Sequence, residues 1–353
     1  MDTHSAIFRP MYFFGLLFYI TFFGCYSSSW AQNRNEEFEA WKKSRIQELT
    51  GEEGWLNLVG LVPIDTSNAY LNSTNEDSLF LESTLEKSTL GKFLFVKDSV
   101  WFTWKNREIL SQDSVLVFPI AHGSGAGVYY KDWKWSVIKR GEVYFMRLRQ
   151  LNHPDLENFE ATPVFDYDSN YRISAFFLPK FNQVISIPNV LGQVIPWKVM
   201  GELQFVFHGK SQRLLALEEA GKLFVIFSDQ SSGQTTYPTG RYLYVNYPNA
   251  KGETILDFNF AYNPPCAYTA YATCPIPPKE NRLDLPINAG EKVLPSQKKR
   301  KEIKGLRKAP FYNIPNIFVP LLPHRNLEEL GIQVLSWQEI YIYSFSSIAI
   351  ILQ

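Results

Sequence analysis

Cys266 and Cys274 are separated by seven intervening residues in a proline-rich polar segment, "DFNFAYNPPCAYTAYATCPIPPKENRLDLPINAGEK" (257–292). Paired thiols admit four chemistries: a disulfide, two buried free thiols, a thiolate nucleophile or a zinc site. A disulfide is the leading expectation, and a loop this short would stabilise the fold by roughly 2.5 kcal/mol in the chain-entropy picture. A thiolate nucleophile needs a base such as histidine, and none lies nearby in sequence. Structural zinc sites use closely spaced cysteine pairs, whereas His122, His153 and His208 are scattered. No metal and no cofactor is expected.

The same segment carries Pro264, Pro265, Pro275, Pro277 and Pro278. Each proline fixes φ and removes a donor, so helix and central strand are both excluded. Asn263 precedes Pro264 and is driven toward extended backbone. The expectation is a rigid loop that either presents side chains at a preorganised site or covers the open end of a barrel. Asp229, Tyr237, Arg241, Asp257, Asn259, Asn263, Arg282 and Glu291 form the candidate ligand-binding set. Arg241 and Arg282 would clamp a carboxylate or phosphate, with a nearby carboxylate as general acid or base in an enzymatic reading. Adjacent strands would bring 241 and 257 side by side, and the rigid loop would return 282 across their ends. Asp229 and Arg241 flank a long loop, "QSSGQTTYPTG", and could also form a plain structural ion pair. Arg147 and Arg149 share strand parity, and with Arg140 they read as a solvated basic face. The stretch "HGSGAG" has the glycines of a phosphate loop but no following helix and no Lys-Ser/Thr.

The elements that must position these residues are mainly strands. Aromatic residues make up 16 % of the chain, which suits strands and large packed surfaces. Short β-branched and aromatic runs, from "WLNLVGLVPI" to "VYFMRLRQ", fill the first half. "RISAFFL" and "VISIP" follow, and then "ELQFVFH", "RLLALEE", "KLFVIFS", "RYLYVNY" and "TILDFNF" read as an antiparallel meander. "NEEFEAWKKSRIQELTG" reads as one helix with a partly apolar face, acting as a lid on a sheet. The fold class is therefore mainly β, an antiparallel barrel or sandwich with a C-terminal meander and one N-terminal helix.

The ends carry different signals. Arg9 followed by "MYFFGLLFYITFFG" and Ser29-Trp30-Ala31 reads as a signal peptide over 1–31, with the mature chain beginning at Gln32. Gly24-Cys25 offers the rival of a lipoprotein, attached to the membrane through Cys25, and an uncleaved anchor is the third reading. All three export the protein to the periplasm or cell envelope, an oxidising compartment. Residues 32–292 read as a single mainly-β domain, with an N-terminal lobe at about 32–165 and a C-terminal lobe at about 166–292. Residues 293–353 form an atypical tail: a basic run, a proline-broken stretch and an apolar terminus. Lys+Arg and Asp+Glu are both 35, so no overall attraction to nucleic acid follows.

"EGWLNLVGL" (53–61), "IKRGEVYFMRLR" (138–149), "FSDQSSGQTTYPTGRYL" (227–243) and the 257–292 segment occur here in the order seen in a bacterial and archaeal family. The chain resembles the domain of unknown function numbered 1684 over about 36–292. The resemblance implies no activity. The functional expectation rests on the residues: an exported β protein binding a small polar or anionic ligand, with a hydrolase-like enzyme using Asp or Glu beside Arg as the alternative.

Overall fold

Strand alternation sorts the chain into layers. Odd and even residues of one strand face opposite ways, so a strand buried on one face alternates and a strand buried on both is apolar throughout. The computed structural model describes residues 34–74, 78–105, 114–119 and 127–295. Contacts divide the chain into Met1–Arg300 and Lys301–Gln353, and all described residues lie in the first unit. The expected signal peptide, Cys25 and the tail beyond 295 lie outside the described residues.

The protein is mainly antiparallel β with one N-terminal helix, as the sequence predicts. Helix α1 covers 34–50, and Gly51 closes it through its N–H to Gln47 O at 2.9 Å. The N-terminal strands are β1 (Leu58–Ile64), β2 (Tyr70–Thr74), β3 (Ser78–Glu82), β4 (Thr89–Val96) and β5 (Ser99–Trp104). They continue with β6 (Ser114–Phe118), β7 (Val128–Tyr130), β8 (Trp133–Arg140) and β9 (Val143–Gln150). A sheet ordered β1-β9-β8-β7 faces a sheet ordered β3-β2-β4-β5-β6. Their shared core includes Trp135, Met146 and Leu148 from one sheet and Phe93, Phe102 and Trp104 from the other. Phe102 meets Trp135 edge-on at 5.2 Å, a favoured aromatic geometry.

The C-terminal strands form one sheet after a one-turn helix, α2 (Pro154–Asn158). They are β10 (Arg172–Pro188), β11 (Val194–Phe207), β12 (Lys210–Glu219), β13 (Lys222–Phe227), β14 (Arg241–Val245) and β15 (Glu253–Asp257). The runs "RISAFFL" and "VISIP" fuse into the single long strand β10. The order is β14-β13-β12-β11-β10-β15. The meander thus stops at β14, and β15 returns to pair with β10. Arg241 and Asp257 consequently lie on the two edge strands, which are not hydrogen-bonded neighbours in the sheet but approach each other across its curl. The sheet curls enough for Thr254 Oγ1 to donate to Asn246 O, just past β14, at 2.9 Å.

Both faces of this sheet are apolar. Leu214, Ala216, Leu223, Val225 and Phe227 point to one core, while Leu215, Leu217, Phe224 and Ile226 point to another. The segment from Phe258 to Val293 covers both. Its later part adds Leu283, Leu285, Ile287 and Ala289 to the first core, and its earlier part adds Ala272 and Cys274 to the second. The expected rigid loop is therefore a strap, pinned by main-chain bonds such as Leu283 N to Ser228 O at 2.9 Å and Ile276 N to Pro188 O at 2.9 Å.

Candidate functional site

Two groups of buried polar side chains compete for the role of site. The first contains most of the expected ligand-binding residues. Arg241 is fully buried. Its guanidinium donates to Asp229 Oδ2 at 3.1 Å, to Ile287 O at 2.8 Å and to Ala289 O. Asp229 Oδ1 accepts from Ser231 N at 2.8 Å, Ser231 Oγ at 2.5 Å and Ile287 N at 3.1 Å. Burial pulls the Arg241 guanidinium below its ordinary pKa, and Asp229 opposes that. The ion pair ties the end of β13 and the start of β14 to the strap.

Glu291 closes a second network nearby. It accepts from Arg45 Nε at 2.8 Å, Asn263 N at 2.7 Å and Tyr268 OH at 2.9 Å. Arg45 comes from α1, on the same stripe as Phe38 and Leu49, and lies 4.6 Å over the Tyr262 ring. Burial would lower the Arg45 pKa, but Glu291 outweighs it and holds the cation firmly protonated. Gly290 sets up this carboxylate. Its φ is +75°, and a Cβ there would stand 2.3 Å from Ala261 O, so the backbone turn before Glu291 requires glycine.

The remaining members of the set also serve the fold. Asp257 Oδ1 accepts from Asn259 N at 3.2 Å and from Asn259 Nδ2 at 2.8 Å, and its other oxygen lies 3.7 Å from Arg172. Burial pushes its carboxyl above the usual range. Asn259 also receives Asp168 N at 3.0 Å and returns a bond to Asp168 O. Asn263 Nδ2 donates to Lys292 O at 2.8 Å. Arg282 is exposed, while Arg241 has no exposure, so the two do not converge on one concavity. Alternation along the strap explains this: Leu283, Leu285 and Ile287 turn inward, and residues of Arg282's parity turn out. Asn281, beside it on the same loop, fills the inward role. It is bonded to Leu215 N, Leu215 O and Ile226 O. This first group is closed, apart from Arg241 Nε and Asn263 Oδ1, which lack partners.

The second group is open and lies where the sequence suggested only a solvated face. Met146 and Leu148 fill the N-terminal core, so Arg147 and Arg149 project from the other side of β9. That side is covered by the 51–57 corner and the cysteine stretch of the strap. Arg149 Nη1 donates to Gly54 O and to Asn57 Oδ1 at 2.8 Å, and Asn57 Nδ2 bonds back to Gly51 O and Glu52 O. This fixes the corner that presents Trp55, and Thr269 Oγ1 clips the strap to Leu58 O at 2.7 Å. Arg147 lies 5.5 Å over the Trp55 ring. Arg140 Nε donates to Thr273 Oγ1 at 3.1 Å, beside Cys274. Glu53, 3.4 Å from Arg149, is the nearest acid.

Arg147 donates no hydrogen bond among the described residues, and its Nε is buried without a partner. Burial, then the neighbouring Arg140 and Arg149, bring its pKa down to about 10. The corner therefore concentrates positive charge against an aromatic wall. Parity placed Arg147 and Arg149 together; that a second lobe covers their face was not visible in one strand's pattern.

Cys266 and Cys274 are free thiols, in contrast to the expected disulfide. Cys274 Sγ is turned to accept from Cys266 N at 3.0 Å. Tyr237 OH donates to Cys266 O at 3.0 Å and approaches its Sγ at 3.6 Å. Among the described residues no group of three or more His, Cys, Asp or Glu could hold a metal ion.

An antiparallel β fold with a strapped meander and internally paired polar clusters defines a class of protein without an assigned activity. Residues 157–292 of the chain match the family described as protein of unknown function (DUF1684). The match spans the C-terminal sheet and strap. The motifs at 53–61 and 138–149, part of the wider resemblance, fall outside it. The solution structure of an uncharacterized protein from Haloarcula marismortui is 31 % identical, with 39 % of this chain and 80 % of that one covered and a TM-score of 0.34. No curated protein matches the chain.

Proposed function

We propose that this is an exported protein that binds a small anionic ligand at the corner formed by Arg147, Arg140, Trp55 and Thr273. One observation carries the reading: Arg147 is held against Trp55 between two further arginines and donates no hydrogen bond among the described residues. Removing a guanidinium from water without a partner is costly, and a carboxylate or phosphate would offset that through charge-assisted, bidentate bonds. The Arg241 network is a weaker candidate because, Nε apart, its guanidinium already donates to Asp229 and to two main-chain carbonyls. The hydrolase alternative has less support, since Asp229 and Glu291 are engaged by buried partners and Asp257 is occupied in capping residues 258–260.

Export rests on the apolar run before Ser29-Trp30-Ala31 and is tested by sequencing the N-terminus of secreted material, which should begin at Gln32. Among the described residues no helix is long and apolar enough to cross a membrane. For the ligand, calorimetric titration with inorganic phosphate and with acetate should show binding that weakens with added salt. Arg147→Met should remove it. Equal binding by the variant would sink the assignment of this corner.

A further inference from the structure

The thiols and the open arginine corner share one stretch of the strap. Arg140 is bonded to Thr273, the residue before Cys274, and Trp55, Cys266 and Cys274 pack in one apolar cluster. The Cys266 N–H to Cys274 Sγ bond of 3.0 Å holds the second sulfur against the main chain of the first. Prolines at 264, 265 and 275 flank the pair, so the loop loses little entropy when its ends are joined. We propose that Cys266 and Cys274 are a redox-active dithiol that exchanges with small disulfides bearing carboxylates, which the Arg147 corner attracts. The ligand class rests on the anion reading above; the thiol chemistry does not.

The two cysteines are unequal in the way exchange requires. Cys266 is half-buried, whereas Cys274 is buried. The hydrogen bond from Cys274, aided by Tyr237, pulls the Cys266 thiol below its ordinary value, while burial pushes Cys274 up. Burial also pushes the Tyr237 phenol up, so it stays a donor to the Cys266 sulfur. Cys266 is thus the attacking thiol and Cys274 the resolving one.

The steps balance with the small disulfide as oxidant. The Cys266 thiolate attacks one of its sulfurs, the small molecule's S–S bond breaks, and one half leaves as a thiolate that takes a proton from water. Cys274 gives its proton to solvent and attacks Cys266, forming the Cys266–Cys274 bond and releasing the other half as a thiol. The protein loses two electrons and the small disulfide becomes two thiols. Arg147 and Arg140 hold the carboxylates and touch neither sulfur's proton.

The test uses the full chain carrying Cys25→Ser, reduced and then exposed to oxidised glutathione or to the uncharged hydroxyethyl disulfide. Intact mass after alkylation should show loss of two hydrogens and no alkylated cysteine at 266 or 274. Cys274→Ser should trap the glutathione adduct on Cys266. Arg147→Met should lower the preference for the charged over the uncharged disulfide by roughly tenfold, as loss of a steering charge does. Arg140→Gln, at the edge of the corner, should lower it less and serves if the first variant does not fold. Thiols that stay free with both disulfides, or an adduct on Cys274 instead, overturn the proposal. An unchanged preference overturns the role of the corner in exchange. Phosphate titration of the same samples separates the two claims, because it reports the anion site whatever the thiols do.

Discussion

Arg241 is fully buried and Arg147 half-buried, and the two sit in opposite electrostatic situations. Arg241 meets a carboxylate and two carbonyl oxygens that the strap delivers to it. Arg147 meets an indole face and two other cations. The first arrangement exchanges water for fixed acceptors and holds the fold together. The second leaves a half-buried positive charge with no fixed acceptor among the described residues. A buried arginine is therefore no guide to function until its acceptors are counted.

The sharpest way to break this comparison is Arg241→Met. It would leave Asp229 and the Ile287 and Ala289 carbonyls without their donor, and removing one partner of a buried pair costs about 3–5 kcal/mol. Urea unfolding should show a loss of this size, and a variant as stable as the parent would mean that the network is not structural. Glu291→Gln should cost less, about 2 kcal/mol, because the amide keeps part of the hydrogen bonding while Arg45 loses its buried counter-charge and keeps only the exposed Glu48. The same unfolding measurement reads it, and a neutral result would remove Glu291 from the structural group. Arg147→Met should change stability by no more than about 1 kcal/mol in either direction, since it deletes an uncompensated charge and keeps an apolar stem beside Trp55. A loss as large as that of Arg241→Met would place Arg147 among the fold-holding residues and end the distinction.

Much of the architecture was legible because alternation and turn residues report local geometry. The β runs of the C-terminal half appear where "LQFVF", "RLLALEE" and "KLFVIF" suggested, and the helix ends at Gly51. The site was less legible because it depends on which faces another segment covers. Asp229 and Arg241 were correctly paired across their loop. Arg282 was grouped with them from its residue type, while its neighbours Leu283 and Leu285 already indicated the outward parity it adopts. Arg45 stood on the apolar stripe of α1 with Phe38 and Leu49, a signal that a buried acid must wait opposite. Arg147 carried no such sign, since the segments covering it, the 51–57 corner and the cysteine stretch of the strap, are both far away along the chain. The return of β15 to β10 was equally hidden, because a meander and a nearly closed curl share one strand pattern up to the last strand.

The strap that covers both faces of the C-terminal sheet also sets the order of events during synthesis. The meander is complete as a string of strands by Val245, but two apolar faces stay bare until residues 258–293 emerge. Contacts such as Arg45 with Glu291 and Leu215 with Asn281 join distant parts of the chain, which makes folding slow and late. A chain cut anywhere before Ala289 would present an uncovered sheet to its neighbours and enter aggregates or proteolysis. Quality control of this protein is thus concentrated in its last described segment: the residues that complete the fold are also those that certify it was made to the end of the sheet's cover.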